Sequence, residues 1–257
     1  QKVRTGGDKA LLRFAKQFDN LSQPIEVTRE EMEEAAATLP VDVRLAIRNA
    51  AKNIAKVAAR QIPKRFEMEV VKGVMVEQRV EPLESVGCYV PGGRFPLPSS
   101  LLMTAVPARV AGVRTVIAVC PKPEGAVMAA ALEAGVTKLF RIGGAHAVAA
   151  LAYGTESVPR VDKIVGPGNK WVARAKAQVT ADCSIDFYAG PTEIVVVAAS
   201  GNPKWVATDL IAQAEHDPEA RSVFITWKKG FAARVNKAVE KVAKGRDIVT
   251  TSLAAHG

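Results

Sequence analysis

A chain of 257 residues with 48% apolar and 24% charged residues is ordinary globular material, which excludes a disordered tail or a fibre. Thirty-five Lys and Arg against 26 Asp and Glu leave a formal charge of +9, so nucleic acid, anionic lipid and phosphate-bearing ligands are all partners to test, and charge alone chooses none. The longest apolar runs, residues 115–120 and 194–199, are strand-sized and far below the roughly 18 residues of a membrane span, so a soluble protein is expected. The polar opening does not resemble a signal peptide, and a chain that opens at Gln1 is expected to have lost its own beginning. Three dispersed cysteines, Cys88, Cys120 and Cys183, with no C-x-x-C spacing, fit a reducing cytoplasm.

The first 62 residues carry apolar positions at helical spacing. Leu11, Leu12, Phe14, Ala15 and Phe18 form one stripe. Thr28 with Glu31 has the spacing of a capping box, and residues 41–59 make a third helix facing inward through Ile47, Ile54 and Val57. Between residues 66 and 80 near-alternation around Lys72-Gly73 predicts a β-hairpin. From Val86 onward β-rich runs alternate with alanine-rich helical segments: 115–119 before 124–134, 138–142 before 145–153, and 163–165 before 170–179. Strand-then-helix units in succession mark a parallel sheet covered by helices, so the fold class is α/β. The alternation resumes with 194–199 before 204–216 and 222–227 before 231–244. A last strand is expected at 248–253, and a strand without its helix suggests a fragment of a longer protein.

Ligands of open α/β sheets gather beyond the carboxyl ends of the strands, where helix N-termini offer unpaired N–H groups. Three glycine-bearing junctions lie there: Gly92-Gly93 before Arg94, Gly143-Gly144 with His146 in the next turn, and Gly166-Pro167-Gly168-Asn169, whose asparagine is placed to cap a helix. None is a dinucleotide fingerprint or a Walker sequence, and tight turns alone would explain them. Gln213 and His216 are three residues apart on a helix that Asp217-Pro218 stops, so an amide oxygen and an imidazole could share a metal. Only three histidines are present and no H-E-x-x-H occurs, so a plain dipole-favoured histidine is the alternative. His256 is expected to be a solvated tail residue.

The blocks Gly87-Cys88-Tyr89-Val90-Pro91-Gly92-Gly93, Pro98-Ser99-Ser100-Leu101-Leu102-Met103, Ile142-Gly143-Gly144-Ala145, Val161-Asp162-Lys163-Ile164-Val165-Gly166-Pro167-Gly168-Asn169, Ala189-Gly190-Pro191-Thr192-Glu193 and Asp209-Leu210-Ile211-Ala212-Gln213-Ala214-Glu215-His216 resemble, in order, the histidinol dehydrogenase family. The resemblance runs from near the start of the chain to its end. It implies a zinc-dependent homodimer with a shared active site, oxidising L-histidinol through the aldehyde to L-histidine with two NAD molecules. It also implies two Rossmann-like parallel-sheet domains related to the aldehyde dehydrogenase fold behind a helical N-terminal lead-in. Residues 87–190 would be an inserted NAD-contacting domain, and residues 1–86 with 191–257 an enclosing one, incomplete at its end.

By the same resemblance Tyr89, His146 and Asn169 contact NAD, Thr192 contacts substrate, and Gln213 and His216 bind both zinc and substrate. The family usually has glutamine where His146 stands and serine where Thr192 stands, which puts specificity in doubt. The acid/base residues and the remaining zinc ligands are expected beyond residue 257. Glu215 is not promoted to general base, because successive helix positions point about 100° apart, and a surface or supporting carboxylate is expected. Cys88, which could capture an aldehyde as a thiolate, has no basic neighbour in sequence and is expected to pack. The alternatives are a relative acting on another polyol, such as a sulfonated diol that the basic balance would suit, and a noncatalytic phosphate- or nucleic-acid-binding module. Against the latter stand few aromatics and dispersed charge.

Overall fold

A computed structural model describes the chain except residues 93–96, 189–192, 217–218 and 257 and the side chain of His256. In chain order the elements are α1 (Lys2–Phe18), β1 (Glu26–Val27), α2 (Arg29–Ala37), α3 (Val41–Gln61), β2 (Phe66–Val71), β3 (Val74–Gln78), β4 (Ser85–Tyr89), α4 (Pro98–Val110), β5 (Thr115–Val119) and α5 (Gly125–Glu133). They continue with β6 (Lys138–Phe140), α6 (Gly144–Tyr153), β7 (Lys163–Val165), α7 (Lys170–Val179), β8 (Ser184–Ile185), β9 (Glu193–Val197), α8 (Pro203–Ala214), β10 (Arg221–Ile225), α9 (Lys229–Ala243) and α10 (Asp247–His256). They fall into two compact units, residues 1–188 and 189–257.

The first unit is built on a six-stranded sheet in the order β1-β6-β5-β4-β7-β8. β4 pairs in parallel with both β5 and β7, and only the short β1 at the edge runs antiparallel. Side chains alternate between faces along each strand. Val86, Cys88, Val116, Ala118 and Leu139 enter a core with α2, α3, α4 and α5. Tyr89, Ile117, Val119, Phe140 and Ile164 face the opposite core under α1, α6 and α7. Both faces are thus covered, which is why the strands read as near-continuous apolar runs.

The lead-in helices belong to this unit. Thr28 caps α2 by accepting from the Glu31 N–H at 3.1 Å, as its spacing predicts. Arg141, buried just past β6, donates to the carbonyls of Pro24 and Glu26 at 3.0 and 3.1 Å and pairs with Glu31, so the sheet edge holds the second helix. α3 turns inward through Ile47, Ala51 and Ala58, with Ile54 partly buried; Val57, expected inside, is 61% exposed because small alanines occupy the contact. α1 is broken at Gly7, whose φ of 49° suits glycine, and its second segment starts where Asp8 N–H meets Glu156 at 2.7 Å. The hairpin β2–β3 forms around Lys72-Gly73 with both faces exposed.

In the second unit β9 and β10 pair in parallel. Ile194, Val196 and Phe224 pack with Leu210, Phe231 and Val235 under α8 and α9, while Val195, Val197, Val223 and Ile225 are exposed on the other face. The strand expected at 248–253 is instead helix α10. Asp247 sits in its first turn, the Thr250 and Thr251 hydroxyls donate back to the carbonyls of Arg246 and Asp247, and Val249 is buried with Ile211 and Ala214. Ser252 fixes the helix by donating to Ala220 O at 2.9 Å. β-branched residues at 248–251 suggested a strand, and burial on one helical face overrode that local preference.

Candidate functional site

The chain order of the central strands places a topological switch point in the first unit. From β4 the chain steps sideways to β5 and β6, then crosses back to β7 on β4's other flank. The carboxyl ends of β4 and β7, Tyr89 and Val165, therefore border a crevice of the kind in which doubly wound sheets take their ligands. The loop after β7 approaches β4 closely. Gly166 has a φ of +114°, a region nearly closed to other residues, and any Cβ on it would overlap the Tyr89 carbonyl oxygen. A Cβ on Gly168 would collide with the side chain of Val172. This glycine cradle lets the loop pack against the end of β4 and the first turn of α7.

Tyr89 is 4% exposed and its phenol oxygen accepts from Gly144 N–H at 2.9 Å, at the start of α6. Burial pushes its pKa up to about 12, against the stabilising effect of that hydrogen bond; the Asp19 carboxylate pushes the same way as burial. The neighbouring amide, Gly143 N–H, donates to Asp19 Oδ2 at 3.0 Å, and His146 Nε2 lies 2.7 Å from the same oxygen. A carboxylate only accepts, so this imidazole nitrogen carries the proton. The ring of His146 stands 6.1 Å from Phe14 and 6.2 Å from Phe18. Two amides at the start of α6, Gly143 and Gly144, are therefore satisfied by the chain's own groups, with a carboxylate from the end of α1 in the position favoured by the helix dipole. The imidazole of His146 is spent inward, and the Tyr89 hydroxyl is taken up by Gly144 N–H with its ring buried in the core.

Asn169 caps α7 by accepting from Trp171 and Val172 N–H, each at 3.1 Å. Behind the same loop lies Lys176, 2% exposed, which donates to Gly166 O at 3.0 Å and is paired with Asp186; Asp186 in turn accepts from Gly166 N–H at 2.8 Å. Cys88 is buried beside the crevice floor and burial pushes its thiol up to about 12, so it is no thiolate nucleophile at neutral pH. Cys120 is likewise raised to about 11, and all three cysteines are free and buried.

Gln213 and His216 lie in the second unit. α8 ends at Ala214, Glu215 caps it in helical conformation, and His216 N–H donates to Gln213 O at 3.2 Å, so the pair spans the last turn and the step beyond it. Gln213 is half-buried and His216 exposed. Among the described residues no group of three His, Cys, Asp or Glu could hold a metal, so these two side chains fit zinc only as part of a ligand set. Glu215 pairs with Arg246 at 2.8 Å, a surface carboxylate as expected. Thr192, with Gly93 and Arg94, lies outside the described residues.

Asp19, Lys176 and Asp186 escaped the sequence reading. Lys176 left one trace, a lone charge within the buried stripe Val172, Ala175 and Val179 of α7; Asp19 and Asp186 sit in irregular chain and left none.

Residues 1–257 match the histidinol dehydrogenase family. The chain is 50% identical over 250 residues to histidinol dehydrogenase from Caulobacter vibrioides, covering 95% of this chain and 58% of the relative. It is 44% identical over 265 residues to histidinol dehydrogenase from Methanothermobacter thermautotrophicus, covering 99% and 62% respectively. The chain thus spans about 60% of the length of these curated relatives. Among solved structures, histidinol dehydrogenase from Elizabethkingia anophelis superposes with a TM-score of 0.89 at 32% identity, over 98% of this chain and 60% of that one. Succinate-semialdehyde dehydrogenase from Burkholderia pseudomallei, at 15% identity and a TM-score of 0.53 over 91% of this chain and 50% of that one, shares the fold. No helix among the described residues is long and apolar enough to cross a membrane. On the match over its whole length and the superposition on a solved relative, the chain belongs to the histidinol dehydrogenase family.

Proposed function

We propose that the protein carrying this chain oxidises L-histidinol through the aldehyde to L-histidine with NAD and zinc, the last step of histidine biosynthesis. The observation that carries the proposal is the family match over residues 1–257, joined to a glycine cradle at the switch point between β4 and β7. Tyr89 and Asn169 border that cradle, and NAD would lie across it. Asn169 acts there by fixing the first turn of α7, and His146 acts through Asp19 by fixing the start of α6. Gln213 and His216 would supply an amide oxygen and an imidazole to the zinc and touch the substrate, as would Thr192. Zinc, when bound, supplies positive charge that positions an amino alcohol against the nicotinamide.

The acid/base pair and the other zinc ligands lie outside this chain, and the working unit is a homodimer sharing its sites. The inserted domain would span 87–190, whose end falls two residues from the division at 188/189, with 1–86 and 191–257 enclosing it. α1 and α3 nevertheless pack on α6 and α4, in one compact unit with the sheet. Three buried free thiols support a reducing cytoplasm.

The test is NADH formation by the zinc-loaded, full-length gene product given L-histidinol, with two NADH expected per histidine. Turnover of sulfopropanediol with none of histidinol would overturn the substrate assignment. Zinc content unchanged in both Gln213→Ala and His216→Ala would overturn the ligand assignment.

A further inference from the structure

The buried pair Lys176–Asp186 does not belong to either set of residues above, yet it meets the cofactor crevice from behind. Lys176 is 2% exposed, and its ammonium has two oxygen partners: Gly166 O at 3.0 Å and the Asp186 carboxylate. The carboxylate also accepts from Gly166 N–H at 2.8 Å through Oδ2 and from Phe187 N–H at 2.8 Å through Oδ1. The Phe187 ring lies across the ammonium, 5.6 Å from nitrogen to centroid. Both backbone polar groups of Gly166 are therefore held by one ion pair, the carbonyl by the cation and the amide by the anion.

Elsewhere in the sheet such groups are held by ladder hydrogen bonds, but β7 ends at Val165, so nothing in the ladder orients Gly166. Glycine adopts a φ of +114° without strain and as freely leaves it, so its approach to the Tyr89 backbone is a conformation that contacts beyond the ladder must select. A buried ion pair is seldom the cheapest way to stabilise a core, since well-packed apolar residues often serve as well or better. Keeping one at this position points to geometry.

We infer that Lys176 and Asp186 are positioning residues which set the path of the Gly166–Asn169 turn, and through it the width of the crevice that takes the dinucleotide. The inference rests on the NAD assignment made above. It concerns affinity for the dinucleotide and leaves the chemical step to other residues.

The test uses the full-length gene product in three forms: the parent, Lys176→Met, and the double variant Lys176→Met/Asp186→Asn, which removes both charges and so leaves neither buried alone. Two readouts are taken. In the ligand-free protein, hydrogen exchange at the Gly166, Gly168 and Asn169 amides is expected to quicken at least tenfold in the double variant, while amides of β4 and β5 stay within twofold of the parent. In steady-state kinetics, KM for NAD is expected to rise at least tenfold, with KM for histidinol changed less than twofold.

A pair that only stabilises the fold would instead lower the active fraction, reducing kcat with both KM values unchanged, and would quicken exchange across the whole sheet. Either pattern overturns the inference. If Lys176→Met fails to fold, the double variant carries the test. If the parent itself neither binds nor reduces NAD, the function assigned above fails, and the exchange data alone decide whether the pair sets the turn.

Discussion

Replacing Gly166 by alanine is expected to damage the switch point far more than the same change at another left-handed glycine. Gly73, at φ +82° in the turn between β2 and β3, has open space where a Cβ would stand, with nothing within 4 Å, so Gly73→Ala meets only the cost of the left-handed backbone, about 1–2 kcal/mol. Gly166→Ala meets about 1–3 kcal/mol of backbone strain. Its new methyl also overlaps the Tyr89 carbonyl oxygen, with Tyr89 C and N at 3.1 and 3.2 Å. Those are main-chain atoms of a central strand and cannot swing aside as a side chain would, so a further overpacking cost of about 1–3 kcal/mol applies. The sum is about 2–6 kcal/mol, two to three times the control. Native-state hydrogen exchange at the β4 and β7 amides reads the local opening free energy for the first variant, and at the β2–β3 amides for the second. Equal losses in the two variants would refute the reasoning, since they would leave the close approach of the two strands' ends with no energetic weight.

Asn169→Ala removes the acceptor for two N–H groups of α7 and should cost about 1 kcal/mol, whereas Asn169→Asp keeps an acceptor and should cost less; a thermal melt followed in the first unit separates them. Asp19→Ala leaves His146 and Gly143 without their acceptor, two buried donors at about 1–3 kcal/mol each, while His146→Gln keeps a donor toward Asp19 and should cost less than half as much. Urea denaturation ranks the two variants. Alkali should weaken the first unit. Cys88 and Tyr89 are held neutral in the fold with pKa values of about 12, against 9.0 and 10.0 when exposed, so above pH 9 the unfolded chain binds fewer protons than the native one. In this range ionisation of the unfolded chain draws the equilibrium toward unfolding. Stability from these groups is fully present below pH 9 and falls by about 1.4 kcal/mol per pH unit per group between the two values. Tyr89→Phe should flatten that fall above pH 10, and an unchanged slope would contradict the assignment. Native protein at pH 8 should leave Cys88 and Cys120 unmodified by a thiol reagent until it unfolds.

The alternation of strands and helices from Val86 to Val179 was legible because both signals are local: β-rich runs of strand length, and alanine-rich segments between glycine-bearing turns. The caps at Thr28 and Asn169 were legible for the same reason, since a side chain that bonds a backbone group two or three residues away leaves its partner in the sequence. Where tertiary contact decided the outcome, local pattern misled. Residues 248–251 carry β-branched side chains yet form a helix through the contacts of Val249 and Ser252, and Val57 faces solvent because alanines line the contact of α3. The site divided likewise. Its glycines and its asparagine announce themselves in sequence, whereas Asp19 reaches its partner across 127 positions and Asp186 is placed by a lysine ten residues back. Nothing in either neighbourhood marks them.

The Asp19–His146 hydrogen bond ties one of the least regular parts of the chain, the exit from α1, to the first turn of α6. Asp19 and His146 therefore form one unit whose members must be inherited together. A chimera that takes its first twenty residues from a relative without a carboxylate at position 19 would separate the two halves of that unit, and should fold less well than either parent. Crossovers placed beyond α6, which take Asp19 and His146 from the same parent, should be the ones that survive shuffling.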